Sequence, residues 1–141
     1  MSAGDFHQEI FDARLGDYCQ KWADLLNLGN WAIDYRIADV VDGDGTIEGQ
    51  CHVNTQLGHR ATVTFASRIA FDEDQVREDL VVHEHLHIIL DELGQFVYQH
   101  LPKEHHDYFT RLVEIAVSDL ARVLVGVYEN SEDLKGKRNG T

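Results

Sequence analysis

The segment His83-Glu84-His85-Leu86-His87 has the residue types of a catalytic metal site at helical spacing. Residues four apart lie on one face of an α-helix, so His83 and His87 can bind one metal ion together. Glu84 lies beside them, where its carboxylate can accept a proton from a water molecule. His85 falls on the other side of such a helix, and we expect it to pack elsewhere. Histidine pairs of this kind suit zinc, which prefers nitrogen and sulfur ligands.

A catalytic zinc site needs a third protein ligand, and this ligand has to come from outside the motif. In metzincins a third histidine stands six residues after the second one, but that position is Leu93, which excludes this form. Our first choice is Glu114, midway along a predicted later helix and beside its apolar stripe. His105 and His106, near the start of that helix, are the alternatives.

Three further polar residues are candidates for orienting the ligands. Ser118 lies one helical turn after Glu114, and Asp119 follows it. Asp91 lies one turn after His87. A hydrogen bond from such a residue fixes the orientation of a ligand, although capping or solvated roles remain open for all three.

The first part of the chain predicts one helix and a small sheet. Apolar residues recur every three to four positions from Asp5 to Leu26, which indicates an amphipathic helix. Apolar residues then alternate with polar ones, which indicates three half-buried strands. Their inward residues are Trp31, Ile33, Tyr35 and Ile37, then Ile47, Cys51 and Val53, then Ala61, Val63 and Phe65. The turn residues Asp42–Gly45 favour a hairpin, and hence a mainly antiparallel sheet.

The second part predicts two long helices. A capping box, with Asp72 as N-cap and Gln75 three residues later, predicts a helix from Glu73 to Leu93 that Gly94 ends. Its centre is apolar on almost every face, which is typical of a buried helix. The last helix is expected from Lys103 to Val127. Its predicted core stripe is Phe109, Val113, Ala116, Leu120 and Val123.

Together these elements predict an α+β fold. It consists of an N-terminal helix, a small mainly antiparallel sheet of about three strands, a buried H-E-x-x-H helix and a C-terminal glutamate helix. A chain of 141 residues fits one domain, which we assign to residues 1–128. Residues 129–141 are expected to form a flexible polar tail.

The composition excludes several classes of function. The formal net charge of −13 opposes binding to nucleic acid, which requires clustered lysine and arginine. No apolar run is long enough to cross a bilayer, and the N-terminus lacks the features of an export signal. We therefore expect a cytoplasmic protein that binds neither nucleic acid nor membrane. Cys19 and Cys51 are expected to be reduced thiols.

The order of elements, with H-E-x-x-H at 83–87 and Glu-Ile-Ala-Val-Ser-Asp-Leu-Ala from Glu114, resembles the zincin-type metallopeptidases of the gluzincin branch. It is most similar to the compact minigluzincins and to short zincin-like proteins of phages and prokaryotes. The resemblance covers residues 5–127. It implies His83, His87 and Glu114 as zinc ligands and Glu84 as general base.

The chain departs from the larger gluzincins at two points. These enzymes carry an aspartate four residues after the ligand glutamate, where this chain has Ser118. It also has no clear counterpart of their oxyanion-stabilising histidine or tyrosine. The candidates for that role are Tyr98, His105, His106 and Tyr108.

We therefore expect a zinc-dependent metallopeptidase that hydrolyses peptide bonds by metal-activated water, with Glu84 as general base. Its partner is a peptide or protein substrate, which by the resemblance lies extended along an edge strand. The alternative is a catalytically silent zinc-binding module, with a regulatory or interaction role, on the same scaffold. A metal-dependent ribonuclease needs a third histidine where Leu93 stands, and the acidic charge opposes it.

Overall fold

The computed structural model describes residues 13–38, 48–54, 58–70, 72 and 76–139. The predicted α+β fold is confirmed, with a helix before the sheet, three strands, the motif helix and a long C-terminal helix. The elements in chain order are α1 (Ala13–Leu25), β1 (Ala32–Ala38), β2 (Gly49–Asn54), β3 (Arg60–Ala66), α2 (Ser67–Ala70), α3 (Glu78–His100), a 3-10 turn (Lys103–His105) and α4 (His106–Asn139). The predicted turn at Asp42–Gly45 and the start of the first helix lie outside the described residues.

The sheet is mixed and has the strand order β1-β3-β2. β3 pairs with β1 in parallel, with Val63 beside Tyr35, and with β2 antiparallel, with Val63 beside Cys51. The expected hairpin between β1 and β2 is therefore wrong, because β3 lies between them. β3 carries the most buried face of the three strands, which suits the central position where both edges are paired. β2 is an edge strand of this sheet.

One hydrophobic core lies between the inner face of the sheet and the helices. The strand faces follow the predicted alternation, since Ala61, Val63 and Phe65 are buried. The helices add mainly Leu15, Cys19, Trp22, Val81, Val82, Leu86, Ile88, Val117 and Ala121. Cys19 is buried and Cys51 half-buried, and both are free thiols as predicted. No helix in the described ranges combines the length and apolar content that crossing a bilayer requires.

The motif helix α3 has different ends from those predicted. It starts at Glu78, after an extended Arg77 whose side chain makes no capping hydrogen bond. Of the predicted capping box, residues 73–75 lie outside the described residues. Gly94 does not end the helix but lies within it, and α3 continues to His100, directly before the Leu101–Pro102 pair. A residue that precedes proline is disfavoured in helical conformation, which accounts for the end.

Helix α4 also differs from its prediction. It continues past Val127 to Asn139, and so enters the segment expected to be a flexible tail. Val117 and Ala121 face the core, whereas Leu120 and Val123 are exposed. The core-facing residues are thus Val113, Val117, Ala121, Leu124 and Tyr128. The prediction assigned the core to the neighbouring apolar stripe of the same helix. The helix carries two apolar stripes, and periodicity alone does not show which of them faces the core.

Candidate metal centre

The metal-site candidates come together where α3 and α4 pack side by side. His83 and His87 project from one face of α3 towards Glu114 of α4. The His83 Nε2 atom lies 3.1 Å from Glu114 Oε2, and His87 Nε2 lies 3.0 Å from Glu114 Oε1. The two Nε2 atoms are 3.2 Å apart. The structure therefore brings together the two motif histidines and the first-choice third residue.

The spacing of these three groups fits a zinc ion. Zinc binds imidazole nitrogen and carboxylate oxygen at about 2.0–2.2 Å, and a tetrahedral angle then separates neighbouring ligand atoms by roughly 3.3 Å. The observed separations of 3.0–3.2 Å are close to that value. Among the described residues, His83, His87 and Glu114 are the group whose potential ligand atoms all lie within 4.8 Å of one another.

Ser118 contacts the ring nitrogen of His83 that does not face Glu114. Its Oγ lies 3.1 Å from Nδ1 of His83. Without a metal, Nε2–H of His83 donates to Glu114 and Nδ1 can accept from the Ser118 hydroxyl. With a metal bound at Nε2, Nδ1–H would instead donate to Ser118 Oγ. Ser118 thus occupies the orienting position that the sequence suggested. Asp119, the other candidate on α4, is instead paired with Arg122.

The protonation states of Glu114 and His87 depend on each other. Hydrogen bonds from His83 and His87 hold the pKa of Glu114 well below its ordinary value, and burial only partly opposes them. Burial lowers the pKa of His87, but the hydrogen bond with Glu114 and the nearby carboxylates raise it by a larger amount. The net shift of the His87 pKa is therefore upward. A metal ion therefore competes with protons for the same lone pairs.

Glu84 is buried beside the ligands, with 4% of its surface exposed. Burial raises the pKa of its carboxyl group to about 7, although His83 and His87 oppose this shift. Its carboxylate lies against the backbone of Gly49 at the start of β2. A Cβ atom added at Gly49 would lie 3.1 Å from Glu84 Oε1. A carboxylate near this pKa can both accept and release a proton at neutral pH.

Sequence reasoning missed Gly49, although a signal was present. An isolated glycine in a strand pattern often marks a close approach of another group to the backbone. Here the approaching group is the side chain of Glu84. Glycine at this position lets the carboxylate lie between the edge strand and the histidines.

A cleft of about 550 Å³ opens onto the three candidate ligands and onto Glu84. The edge strand β2 forms one wall, and α3 and α4 form the others. Besides the site residues, its lining includes Gln50, His52, Leu90, Asp91, Gln95, Tyr98, Phe109 and Val113. None of the lining residues is lysine or arginine. Asp91 thus lies in the cleft wall, with a buried carboxylate oxygen that has no hydrogen-bond partner among the described residues.

Of the four oxyanion candidates, only Tyr98 lines the cleft. Its hydroxyl is hydrogen-bonded to Thr110 Oγ1 on α4. His106 Nε2 donates to a backbone carbonyl 2.9 Å away, at the end of α3. His105 pairs with a neighbouring glutamate, and Tyr108 is exposed. His105 and His106 are therefore not among the residues that surround the metal centre, as ligands or otherwise.

His85 faces away from the metal centre, as its helical position predicted. It is fully buried, and its Nδ1–H donates to the carbonyl of Val81 at 2.7 Å. Nε2 then accepts a hydrogen bond from the Tyr35 hydroxyl at 2.7 Å. Burial lowers the pKa of His85 to about 4, so the ring is neutral at pH 7. This pair of hydrogen bonds ties the motif helix to strand β1.

Comparisons with known proteins do not assign this chain to a family. A scan of protein-family models, a search of curated proteins and a search of solved structures find no match to this chain. The resemblance to gluzincins therefore stays a prediction, which the candidate ligand set and the position of Glu84 support.

Proposed function

We propose that this protein is a zinc-dependent metallopeptidase. One observation carries the proposal: ligand atoms of two histidines and a glutamate lie within 4.8 Å of one another in an open cleft, next to a buried carboxylate and an edge strand. His83, His87 and Glu114 would hold the ion. A structural ion pair would explain the histidines and Glu114, but it would not explain why Glu84 is buried in the cleft beside them.

The chain's own residues have distinct roles in the proposed reaction. When bound, zinc supplies Lewis acidity and makes a water molecule a nucleophile at neutral pH. Glu84 would accept a proton from the attacking water and deliver it to the leaving amine. Ser118 would hold the orientation of the His83 ring through its hydrogen bond to Nδ1. Gly49 leaves the space in which the Glu84 carboxylate lies.

The shape and charge of the cleft favour a peptide as substrate. β2 is an edge strand, and an edge strand can pair its main chain with an extended peptide. The cleft runs past β2 and includes both polar and apolar side chains. Its charged lining residues include three carboxylates, those of Glu84, Asp91 and Glu114. A polyphosphate backbone would be repelled by such a lining, whereas a peptide would not.

The second candidate is a zinc-binding module without peptidase activity. The observation that favours it is the hydroxyl of Tyr98, which is hydrogen-bonded to Thr110 and not free in the cleft. A site that lacks a donor for the developing oxyanion loses much of its catalytic power. Zinc binding would then serve a regulatory or interaction role.

Two measurements on the purified protein test the proposal. Mass spectrometry is expected to find one zinc per chain in the wild type and a substoichiometric amount in His83→Ala and Glu114→Ala. Incubation with a peptide library is expected to give cleavage that a chelator abolishes and that Glu84→Gln reduces by about 10²–10⁴-fold. Glu92→Gln, on the exposed side of the same helix, is the matched control and should cleave like the wild type.

The results separate the two candidates. Stoichiometric zinc without any peptide cleavage would refute the peptidase and support the zinc-binding module without activity. Cleavage that Glu84→Gln leaves unchanged would refute the role of Glu84. A wild-type protein without zinc would refute both functions.

A further inference from the structure

Helix α3 lines the cleft with a row of four polar side chains. His83, His87, Asp91 and Gln95 follow one another at intervals of four residues, and all four border the cleft. Residues four apart lie on one face of a helix, about 6 Å from one another along its axis. The first two are the candidate zinc ligands. Asp91 and Gln95 have no part in the proposed reaction, although they face the same space.

Asp91 carries a charge that its surroundings compensate only in part. Its Oδ2 atom is buried and has no hydrogen-bond partner among the described residues. No described lysine or arginine lines the cleft beside it. A carboxylate oxygen that is withdrawn from water without a hydrogen bond is costly, because nothing replaces its lost hydration. A cation bound in the cleft would supply the missing compensation.

Asp91 lies further along the cleft than the metal centre. It follows His87 by four residues and Glu84 by seven, which is about 6 Å and about 10 Å of helix rise. Burial raises the pKa of the Cys51 thiol on β2 to about 12, and the nearby carboxylates of Glu84 and Asp91 add to this rise. β2 thus passes both carboxylates. An extended peptide beside β2 advances about 3.3 Å per residue, so Asp91 is level with a residue two or three positions from the bond at the metal centre.

The walls of the cleft suit a long basic side chain at this position. Leu90, Phe109 and Val113 give the cleft apolar surface. The methylene stem of lysine or arginine packs on such surface while its charged end stays with polar groups. Gln95, one turn after Asp91, adds an amide oxygen as a second acceptor.

We propose that Asp91 determines the specificity of the cleft by selecting peptides with lysine or arginine two or three positions from the bond at the metal centre. The Asp91 carboxylate binds the ammonium or guanidinium group, and Gln95 accepts a second hydrogen bond from it. This selection depends on the proposed function in one respect, which is that a peptide occupies the cleft beside β2. It does not require cleavage, so it also applies to a zinc-binding module without activity.

Peptide binding to the Glu84→Gln variant, with zinc present, measures the selection without cleavage. The probes are labelled peptides of alanine, serine and leucine, acetylated at the N-terminus, with one central arginine, lysine, norleucine or glutamate. Fluorescence anisotropy is expected to show that the arginine and lysine peptides bind about tenfold or more tightly than the norleucine peptide. The glutamate peptide should bind most weakly.

Substitutions of Asp91 test whether this residue makes the selection. Asp91→Asn is expected to bind the arginine and norleucine peptides equally, with the affinity for norleucine and the zinc content unchanged. Asp91→Lys should invert the preference in favour of the glutamate peptide. Asp133→Asn is the matched control, because it removes the same charge from an exposed position near the end of α4. This control should keep the wild-type preference, which excludes an effect of net charge, and circular dichroism shows that each variant is folded.

Cleavage by the wild type gives the position of the basic residue. Mass spectrometry of the cleaved arginine and lysine peptides is expected to find the basic residue at one fixed distance, two or three residues, from the cleaved bond. Tight binding of the basic peptides without cleavage would refute the proposed peptidase and leave the selection standing. Cleavage without any preference for a basic residue would refute the selection and leave the peptidase standing.

Three further results would overturn the role of Asp91. A preference that Asp91→Asn leaves intact would place the selection elsewhere. Loss of zinc in Asp91→Asn would show that this carboxylate orients His87 instead. A preference for peptides with a free N-terminus, in place of a basic side chain, would assign the carboxylate to the terminal amine.

Discussion

The contact between Gly49 and Glu84 yields the sharpest prediction about the chemistry. In the Gly49→Ala variant, the new Cβ would lie 3.1 Å from Oε1, 3.2 Å from Cγ and 3.3 Å from Cδ of Glu84. Ordinary contacts of this kind start at 3.4 Å. The carboxylate must therefore move away from β2 by a few tenths of an ångström.

This displacement sets the size of the expected effect. A misplacement of about 1 Å at a reacting centre can cost about a hundredfold in rate, so a few tenths should cost roughly three- to tenfold in kcat. KM and zinc affinity should remain near wild type, because Gly49 contacts none of the three ligand side chains among its nearest atoms. Complete loss of the base would cost far more, about 10²–10⁴-fold.

Steady-state kinetics on a cleaved peptide, with zinc content measured in parallel, checks the prediction. Gly136→Ala is the matched control, because a Cβ at that position meets no atom within 4 Å. This control should keep wild-type kcat. A Gly49→Ala variant with unchanged kcat would show that the position of Glu84 is not critical. A variant that loses zinc would show that β2 supports the ligands themselves.

Three further outcomes follow from other contacts. Ser118→Ala removes the hydrogen bond to His83 and should weaken zinc binding about tenfold, which a competition with a chelator would measure. An unchanged zinc affinity would show that Ser118 has no role in metal binding. Tyr35→Phe leaves the buried Nε2 of His85 without its donor and should cost about 1–3 kcal/mol in urea unfolding, whereas the exposed Tyr108→Phe should cost almost nothing. The folded-state pKa of His85, about 4, lies below its unfolded value, so the unfolded chain takes up the proton first. The stability that neutral His85 contributes is present above about pH 6.5 and is lost as the pH falls towards 4, by up to about 3 kcal/mol. Urea unfolding curves across this pH range measure the loss. Curves that show no loss would contradict the burial of a neutral ring.

Much of the metal centre could be predicted from the sequence because helical spacing is rigid. Four residues separate His83 from His87, and this alone places both rings on one face. Glu114 was predicted from its place at the margin of an apolar stripe, where a carboxylate is costly without a partner. The structure brings it to within 3.1 Å of both histidines.

The remaining differences come from long-range packing, which local patterns do not contain. Gly94 is a helix-ending residue by propensity, but α3 continues because its last turns pack on α4, where the Tyr98 ring contacts Phe109. The central position of β3 depends on which strands pair, and strand periodicity does not specify this. The role of Gly49 depends on a side chain 35 residues away.

The metal centre lies on a helical hairpin that packs without help from the metal. α3 and α4 are held together by core residues such as Val117 and Ala121, by the Tyr98–Thr110 hydrogen bond and by ring contacts. If the chain binds zinc as we propose, folding would therefore precede metal binding, in contrast to a zinc finger, whose folding depends on its ion. The folded chain would then gain and lose zinc reversibly, and its occupancy would follow the free concentration of the metal. The proposed enzyme would persist as a stable, inactive protein that a rise in free zinc activates.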